Sequence, residues 1–311
     1  MSKYRAALPQ LNGTFLLADG GMETTLIFHK GLDLPNFASF PLLETEKGRT
    51  MLVDYFRPYI QIALNHGVGF LLDTPTWRCN PDWGALMGYS EAALAKANAD
   101  AVTMLTSLRE RTETPQTPIV INGLIGPRGD GYVPGHQMTA PEAQAYHQPQ
   151  IDAFAQAGAD MVSALTLNYM AEAIGVCRAA KAARIPVAIG FTVETDGRLA
   201  TGQTLEQAIT AVDQDTPPAY YIINCAHPTH FDKVVQNGSD WISRVHGIRA
   251  NASSLSHEEL DNSETLDAGN PQEFGQQHRA LLHHLPNVKV IGGCCGTDHR
   301  HIEAVAKMCA V

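Results

Sequence analysis

The sequence carries no run of lysine and arginine interleaved with aromatic side chains and only 6 cysteines among 311 residues. No apolar stretch reaches the ~18 residues needed to span a bilayer. Each shortage excludes a class. A formal net charge of −10 repels a phosphate backbone, so nucleic acid is not an expected partner. Residues 1–18 lack the basic segment and long apolar core of a secretory leader, and the expectation is a cytoplasmic protein without membrane association. Six cysteines over this length are too sparse for a disulfide scaffold, and two of them are adjacent, which suits a reduced compartment and metal chemistry. No linker divides the chain, and residues 1–311 are expected to form one domain that folds unaided. The composition is compatible with a homo-oligomer and does not require one.

What the chain does have is 44% hydrophobic residues and 26 glycines, in a repeating arrangement. Short apolar runs rich in β-branched residues occupy 14–21, 68–77, 118–126, 159–167, 186–194, 219–228, 243–251 and 288–296. Their near-continuous apolarity is what a parallel sheet covered on both faces requires. Amphipathic segments at 51–67, 90–110 and 140–158 lie between them and read as outer helices, with Ser90 and Gly158 as start and stop signals. Eight strands alternating with helices predict an α/β fold, a single (β/α)8 TIM barrel. The Gly/Pro-rich stretch 126–138 is then a loop at the active-site end.

In such a barrel the chemistry sits at the C-terminal ends of the strands. Those ends carry Asp19, Asp73 with Thr74, Asn122, Thr166, Glu194, Asn224 with Cys225, Asn251, and Cys294 with Cys295. Three cysteines therefore gather on one rim. Successive side chains on a strand point to opposite faces, so Cys294 and Cys295 can reach one point only where the backbone turns sharply. Gly292, Gly293 and Gly296 are expected to supply that turn. Three thiolates suit a tetrahedral zinc ion with its fourth position open to substrate. A vicinal disulfide, buried unreactive thiols, a structural Cys3His site closed by His227, His299 or His301, and a phosphate held after the eighth strand are the alternatives.

The segments 19–26 (DGGMETTL), 224–228 (NCAHP) and 292–297 (GGCCGT), in this order, resemble the homocysteine S-methyltransferase family. Segments 121–130, 191–209 and 296–305 extend the resemblance over nearly the whole chain. It implies a methyltransferase in which Cys225, Cys294 and Cys295 bind Zn2+ and carry the catalysis, converting homocysteine to methionine. It places Asp19 beside the acceptor's amino group and the amides of Gly20, Gly21 and Met22 facing its carboxylate. The chain has no length for cobalamin or folate domains, so the implied donor is a small onium compound: S-methylmethionine, S-adenosylmethionine or a betaine. One departure stands out. The fourth strand commonly ends in Phe-Glu-Thr in the family, whereas Ala164-Leu165-Thr166 stands here, so Glu23 or Glu194 is expected to meet the ammonium, or the acceptor differs.

A cationic donor is best held by aromatic faces. Trp77, Trp83 and Tyr132, with Asp73 at the rim, are the candidates. Arg78 is a candidate for a substrate carboxylate or an outward ion pair, and His246 and Asn251 are placed at the end of the seventh strand.

Overall fold

A computed structural model describes residues 2–263 and 265–310. Eight parallel strands close into a barrel in chain order: β1 (Leu16–Ala18), β2 (Gly69–Asp73), β3 (Ile119–Ile125), β4 (Met161–Leu167), β5 (Val187–Phe191), β6 (Tyr220–Asn224), β7 (Val245–Ala250) and β8 (Val290–Gly293). All eight fall within the predicted runs. Outer helices follow them in turn: α1 (Glu46–His66), α2 (Glu91–Thr112), α3 (Ala140–Ala157), α4 (Met170–Ala183), α5 (Leu205–Asp215), α6 (Pro228–Gln236), α7 (Pro271–Leu281) and α8 (His299–Cys309). The family-like (β/α)8 architecture expected from the sequence is the observed one.

The helix limits have local causes. Ser90 caps α2 by accepting from the Ala93 amide, and Thr139 with Glu142 forms a capping box on α3. Gly158 closes α3 at φ 92°, a left-handed value that an L side chain resists. Two apolar layers result. Leu16, Leu71, Val120, Met161, Ala188, Tyr220 and Val290 fill the barrel interior, capped at its upper end by Leu165, while a larger layer packs between sheet and helices.

The lower end is held by one carboxylate. Asp160, just before β4, is fully buried; its Oδ1 accepts from the Lys3 and Tyr4 amides, and its Oδ2 from the Ile121 amide and from Arg109 Nη1 at 2.6 Å. The N-terminal segment, β3 and α2 thereby share one anion. Asp160→Ala strands the Arg109 charge in the interior and is expected to cost about 3–5 kcal/mol in urea unfolding. Thiol reactivity at the opposite end of the folded barrel stays as in the parent. A loss below about 1 kcal/mol would show that the segment is held by packing alone.

Candidate active site

The seam between β1 and β8 joins the two ends of the chain. The Gly21 amide donates to the Thr297 carbonyl at 3.0 Å, and the Gly293 amide to the Asp19 carbonyl at 2.8 Å. The glycines here answer a need for space. A Cβ on Gly21 would lie 2.7 Å from the Cys294 carbonyl oxygen, one on Gly20 2.7 Å from that of Thr297, and one on Gly293 2.0 Å from Thr297 Oγ1. Of the three glycines flanking the cysteine pair, only Gly296 takes a left-handed φ, 78°, which corrects the sequence expectation that all three serve the turn through backbone freedom.

Around this seam the three sulfurs of Cys225, Cys294 and Cys295 lie within 4.8 Å of one another. Cys225 and Cys294 are paired as a disulfide across the rim, with Cα atoms 5.4 Å apart. That differs from the vicinal pairing considered for Cys294 and Cys295. Cys225 and Cys295 sulfurs are 3.9 Å apart. Thiolates at ~2.3 Å around a tetrahedral metal sit ~3.8 Å from each other, so once reduced this donor set fits a thiophilic metal ion.

Cys225 owes its position to its backbone. It stands at φ 54°, and its carbonyl accepts three hydrogen bonds: from His257 Nε2 (2.7 Å), Asn251 Nδ2 (3.0 Å) and Thr192 Oγ1 (3.2 Å). Tyr132 stacks on His257 with centroids 3.9 Å apart and points its hydroxyl at Cys225 Sγ (3.2 Å) and Cys295 Sγ (3.7 Å). No histidine joins the sulfurs among the described residues. His227 caps α6 through Thr229, with its pKa lowered to about 4 by burial; His301 bonds Asp298 and the Ala268 carbonyl; His299 is exposed. Nor is the start of α8 open to a phosphate, since Asp298 caps it.

The sulfurs open onto a cavity of about 460 Å³, a volume suited to small substrates. Asp19, Gly20, Gly21, Met22, Glu23, Trp77 and Thr166 line it; Glu194 does not. Glu194 instead meets His257 Nδ1 at 3.0 Å, behind the ring that supports Cys225. Thr166, at φ 67°, is clamped by Asn224, which accepts from its amide and donates to its hydroxyl. Gly21, whose amide is taken by Thr297, does not share in an open amide triplet. His246 opens β7 at the lower end, stacked on Tyr220, and so corrects its expected place at the rim.

Asp19 is not a free carboxylate. Arg249 on β7 is fully buried and bonds both Asp19 and Asp73, while Tyr55 donates to Asp19 Oδ2 and Asn122 to Asp73 Oδ1. Burial raises the Asp19 pKa, with Arg249 opposing the rise. Glu23, likewise raised by burial, accepts from Ser39 at 2.7 Å. The sequence signal for Arg249 was available, as a lone cation near the end of an apolar strand, but its partners come from strands far away in the chain. His257, the first residue of a short helix (His257–Asp261) between β7 and α7, gave no such signal.

Arg249→Met leaves two buried carboxylates with no cation, and is expected to lower stability by about 3–5 kcal/mol at pH 8. Without Arg249 to oppose burial, the folded pKa of Asp19 lies further above the ~3.9 of an unfolded Asp. A raised folded value favours the folded state below the unfolded pKa, an advantage lost as pH rises through the folded one. The deficit should therefore shrink from pH 8 to pH 5 in urea titrations. An equal deficit at both values would remove the ion triad as its cause.

A sequence model described as Homocysteine S-methyltransferase matches residues 16–309. The homocysteine S-methyltransferase of Escherichia coli (strain K12) is 26% identical, over 93% of this chain and 94% of its own length. Homocysteine S-methyltransferase YbgG of Bacillus subtilis (strain 168) is 24% identical, over 94% and 93%. The fold matches crystal structures of the Escherichia coli homocysteine methyltransferase MmuM. For its oxidized form the TM-score is 0.74 at 21% identity, covering 97% of this chain and 98% of that one. For its metallated form the TM-score is 0.72 at 19% identity, covering 96% and 98%. With the family's sequence pattern running from β1 to the last turn of α8, the chain belongs to the homocysteine S-methyltransferase family and is a methyltransferase.

Proposed function

We propose that residues 1–311 act as one catalytic unit that moves a methyl group from a small onium donor to the thiol of homocysteine, giving methionine. Zn2+ is the proposed metal, held by Cys225, Cys294 and Cys295. The observation that carries this reading is the convergence of the three sulfurs on the cavity wall, with no carboxylate or imidazole among them. Bound there, zinc would supply a Lewis acid that keeps a substrate thiol deprotonated at neutral pH, where a free thiol of pKa ~8.5 is mostly protonated. A reduced setting such as the cytoplasm suits that role, and no helix among the described residues is long and apolar enough to cross a membrane.

The chain's own residues do the positioning. Asn251, Thr192 and His257 fix the Cys225 carbonyl, and Glu194 holds His257 from behind. Tyr132 lies over the sulfurs, where its hydroxyl is available to a sulfur lone pair and its bulk limits water. Asn224 sets Thr166 at the cavity wall opposite Asp19, so the two substrates are confined to a space in which sulfur and methyl carbon can align. Glu23 is a cavity-lining carboxylate beside Asp19 that makes no ion pair with an arginine among the described residues, and we assign it to the acceptor's ammonium.

A second reading keeps the chemistry and changes the acceptor. It is favoured by Leu165, which caps the barrel core where an ammonium partner was expected, and by the engagement of Asp19 with Arg249. Reduced protein, supplied in turn with S-methylmethionine, S-adenosylmethionine and glycine betaine, is expected to yield methionine from homocysteine with at least one donor and to hold about one zinc per chain. Stoichiometric zinc in a Cys294→Ala, Cys295→Ala variant would sink the metal assignment. Glu23→Gln should lower kcat/KM for homocysteine about tenfold to a hundredfold, the equivalent of ~1.5–3 kcal/mol for a charged hydrogen bond. It should have far less effect on a thiol without an amino group. Equal effects on both acceptors would favour the second reading.

A further inference from the structure

Two guanidinium groups line the cavity, and they differ in how they are satisfied. Arg249 is paired with two carboxylates. Arg78, which directly follows Trp77 beyond the end of β2, is only 8% exposed yet makes no ion pair within 4.0 Å among the described residues. Its one hydrogen bond to a described residue runs from Nη1 to the Gly129 carbonyl at 3.1 Å. Its Nε is buried with no hydrogen-bond partner among the described residues. The carboxylates that act on it electrostatically make no ion pair with it and take hydrogen bonds elsewhere: Asp130 accepts from the Tyr132 and Val133 amides, and Glu23 from Ser39.

Two of the three aromatic rings that the sequence offered to a cationic donor, Trp77 and Trp83, are already filled by this side chain. The Arg78 guanidinium carbon lies 4.2 Å from the Trp77 ring centroid and 3.8 Å from that of Trp83. Trp77 is itself fixed, since its Nε1 donates to the Leu165 carbonyl at 3.2 Å. The 126–131 loop closes over it, and a Cβ on Gly126 would sit 2.3 Å from the Trp77 carbonyl oxygen. A planar cation gripped on its faces keeps its edge of N–H donors for an in-plane acceptor. Burial draws its pKa down only to about 10, so it stays charged at neutral pH. A desolvated cation with no carboxylate in direct contact is costly unless an anion arrives to meet it.

We propose that Arg78, held between Trp77 and Trp83, binds the carboxylate of one of the two small substrates edge-on. The assignment rests on the methyl-transfer reading for which substrates enter the cavity, while the presence of an anion-seeking guanidinium there does not. Both homocysteine and S-methylmethionine carry an α-carboxylate, and the two sources are separable. A carboxylate matches the guanidinium fork with two parallel hydrogen bonds, which an ammonium or a thiol cannot make.

The test compares the wild-type enzyme with Arg78→Met, which keeps the stack's bulk, and Arg78→Lys, which keeps charge but loses the fork. Acceptors are homocysteine and 3-aminopropane-1-thiol, its counterpart without the carboxylate; donors are S-methylmethionine and (3-aminopropyl)dimethylsulfonium. If the acceptor is the source, the kcat/KM ratio of homocysteine to 3-aminopropane-1-thiol falls about tenfold to a hundredfold in Arg78→Met, while the donor ratio holds. If the donor is the source, the pattern reverses. Arg78→Lys is expected to recover part of the loss. Fluorescence titrations with homocysteine and S-methylmethionine give a readout that needs no turnover, because two of the chain's 3 tryptophans flank the guanidinium. One of these ligands should change the emission of the wild type and bind about tenfold more weakly to the Met variant. Absence of methyl transfer in the wild type would overturn the enzymatic reading and leave the titration to decide Arg78. Unchanged ratios together with unchanged affinity in folded Arg78→Met, or in Arg78→Lys should the Met variant fail to melt cooperatively, would overturn the proposal and make Arg78 a packing residue.

Discussion

Closure of the sheet between β1 and β8 is the constraint on which the site depends. Only there do residues 19–24 and 292–297 become neighbours, and the contact is so close that side chains are excluded on both sides: Gly21 against the Cys294 carbonyl, Gly293 against Thr297. Larger residues at either place would push the first loop away from the cysteine turn. Two of the three sulfurs are thus placed by a backbone approach that spans nearly the length of the chain. The third, Cys225, is brought in by β6, whose neighbour β7 supplies the Arg249 carbonyl that accepts from the Cys225 amide.

The same closure explains the ion triad. Asp19, Asp73 and Arg249 end or nearly end three strands that are close around the rim but lie 54 and 176 residues apart as Asp19–Asp73 and Asp73–Arg249. When both buried carboxylates are ionised, they and the one guanidinium leave a net negative charge under the cavity floor, which favours a cationic methyl donor above it without any aromatic cage, while burial pulls Asp19 toward its neutral form. The aromatic cage that exists holds Arg78 instead. The cavity therefore combines a negative floor with a positive wall, an arrangement complementary to zwitterionic amino-acid substrates, whose two charges point in different directions.

Strand positions, outer helices and the cysteine trio were legible because each is written locally: apolar runs of fixed length, capping residues such as Ser90 and Thr139, and cysteines just past strand ends. The aromatic assignment was not, because what a ring faces depends on residues across the rim. Trp77 and Trp83 read as open faces in sequence, yet their nearest cation is the arginine between them in the chain. Glu194 read as a substrate contact from its place after β5, but His257, contributed by the loop after β7, intercepts it. The glycines of the cysteine turn were identified correctly as necessary and for an incomplete reason, since exclusion by Ala18, Asp19 and Thr297 cannot be seen before the seam is closed.

Cys225 shows how the rim turns strain into geometry. A non-glycine residue at φ 54° costs on the order of 1 kcal/mol, and it is tolerated where the surroundings over-determine it. Here they do so through its carbonyl, which takes three hydrogen bonds, one from the segment after β5 and two from the segment after β7. Net hydrogen-bond contributions of about 1 kcal/mol each exceed the strain. The left-handed turn directs the sulfur back over the barrel axis toward Cys294 and Cys295 instead of onward along the strand. Thr166, also left-handed at 67° and also tied to this strand through Asn224, bends the opposite wall in the same way. Two strained strand ends held by side-chain hydrogen bonds thus position both the sulfur cluster and the cavity wall facing it.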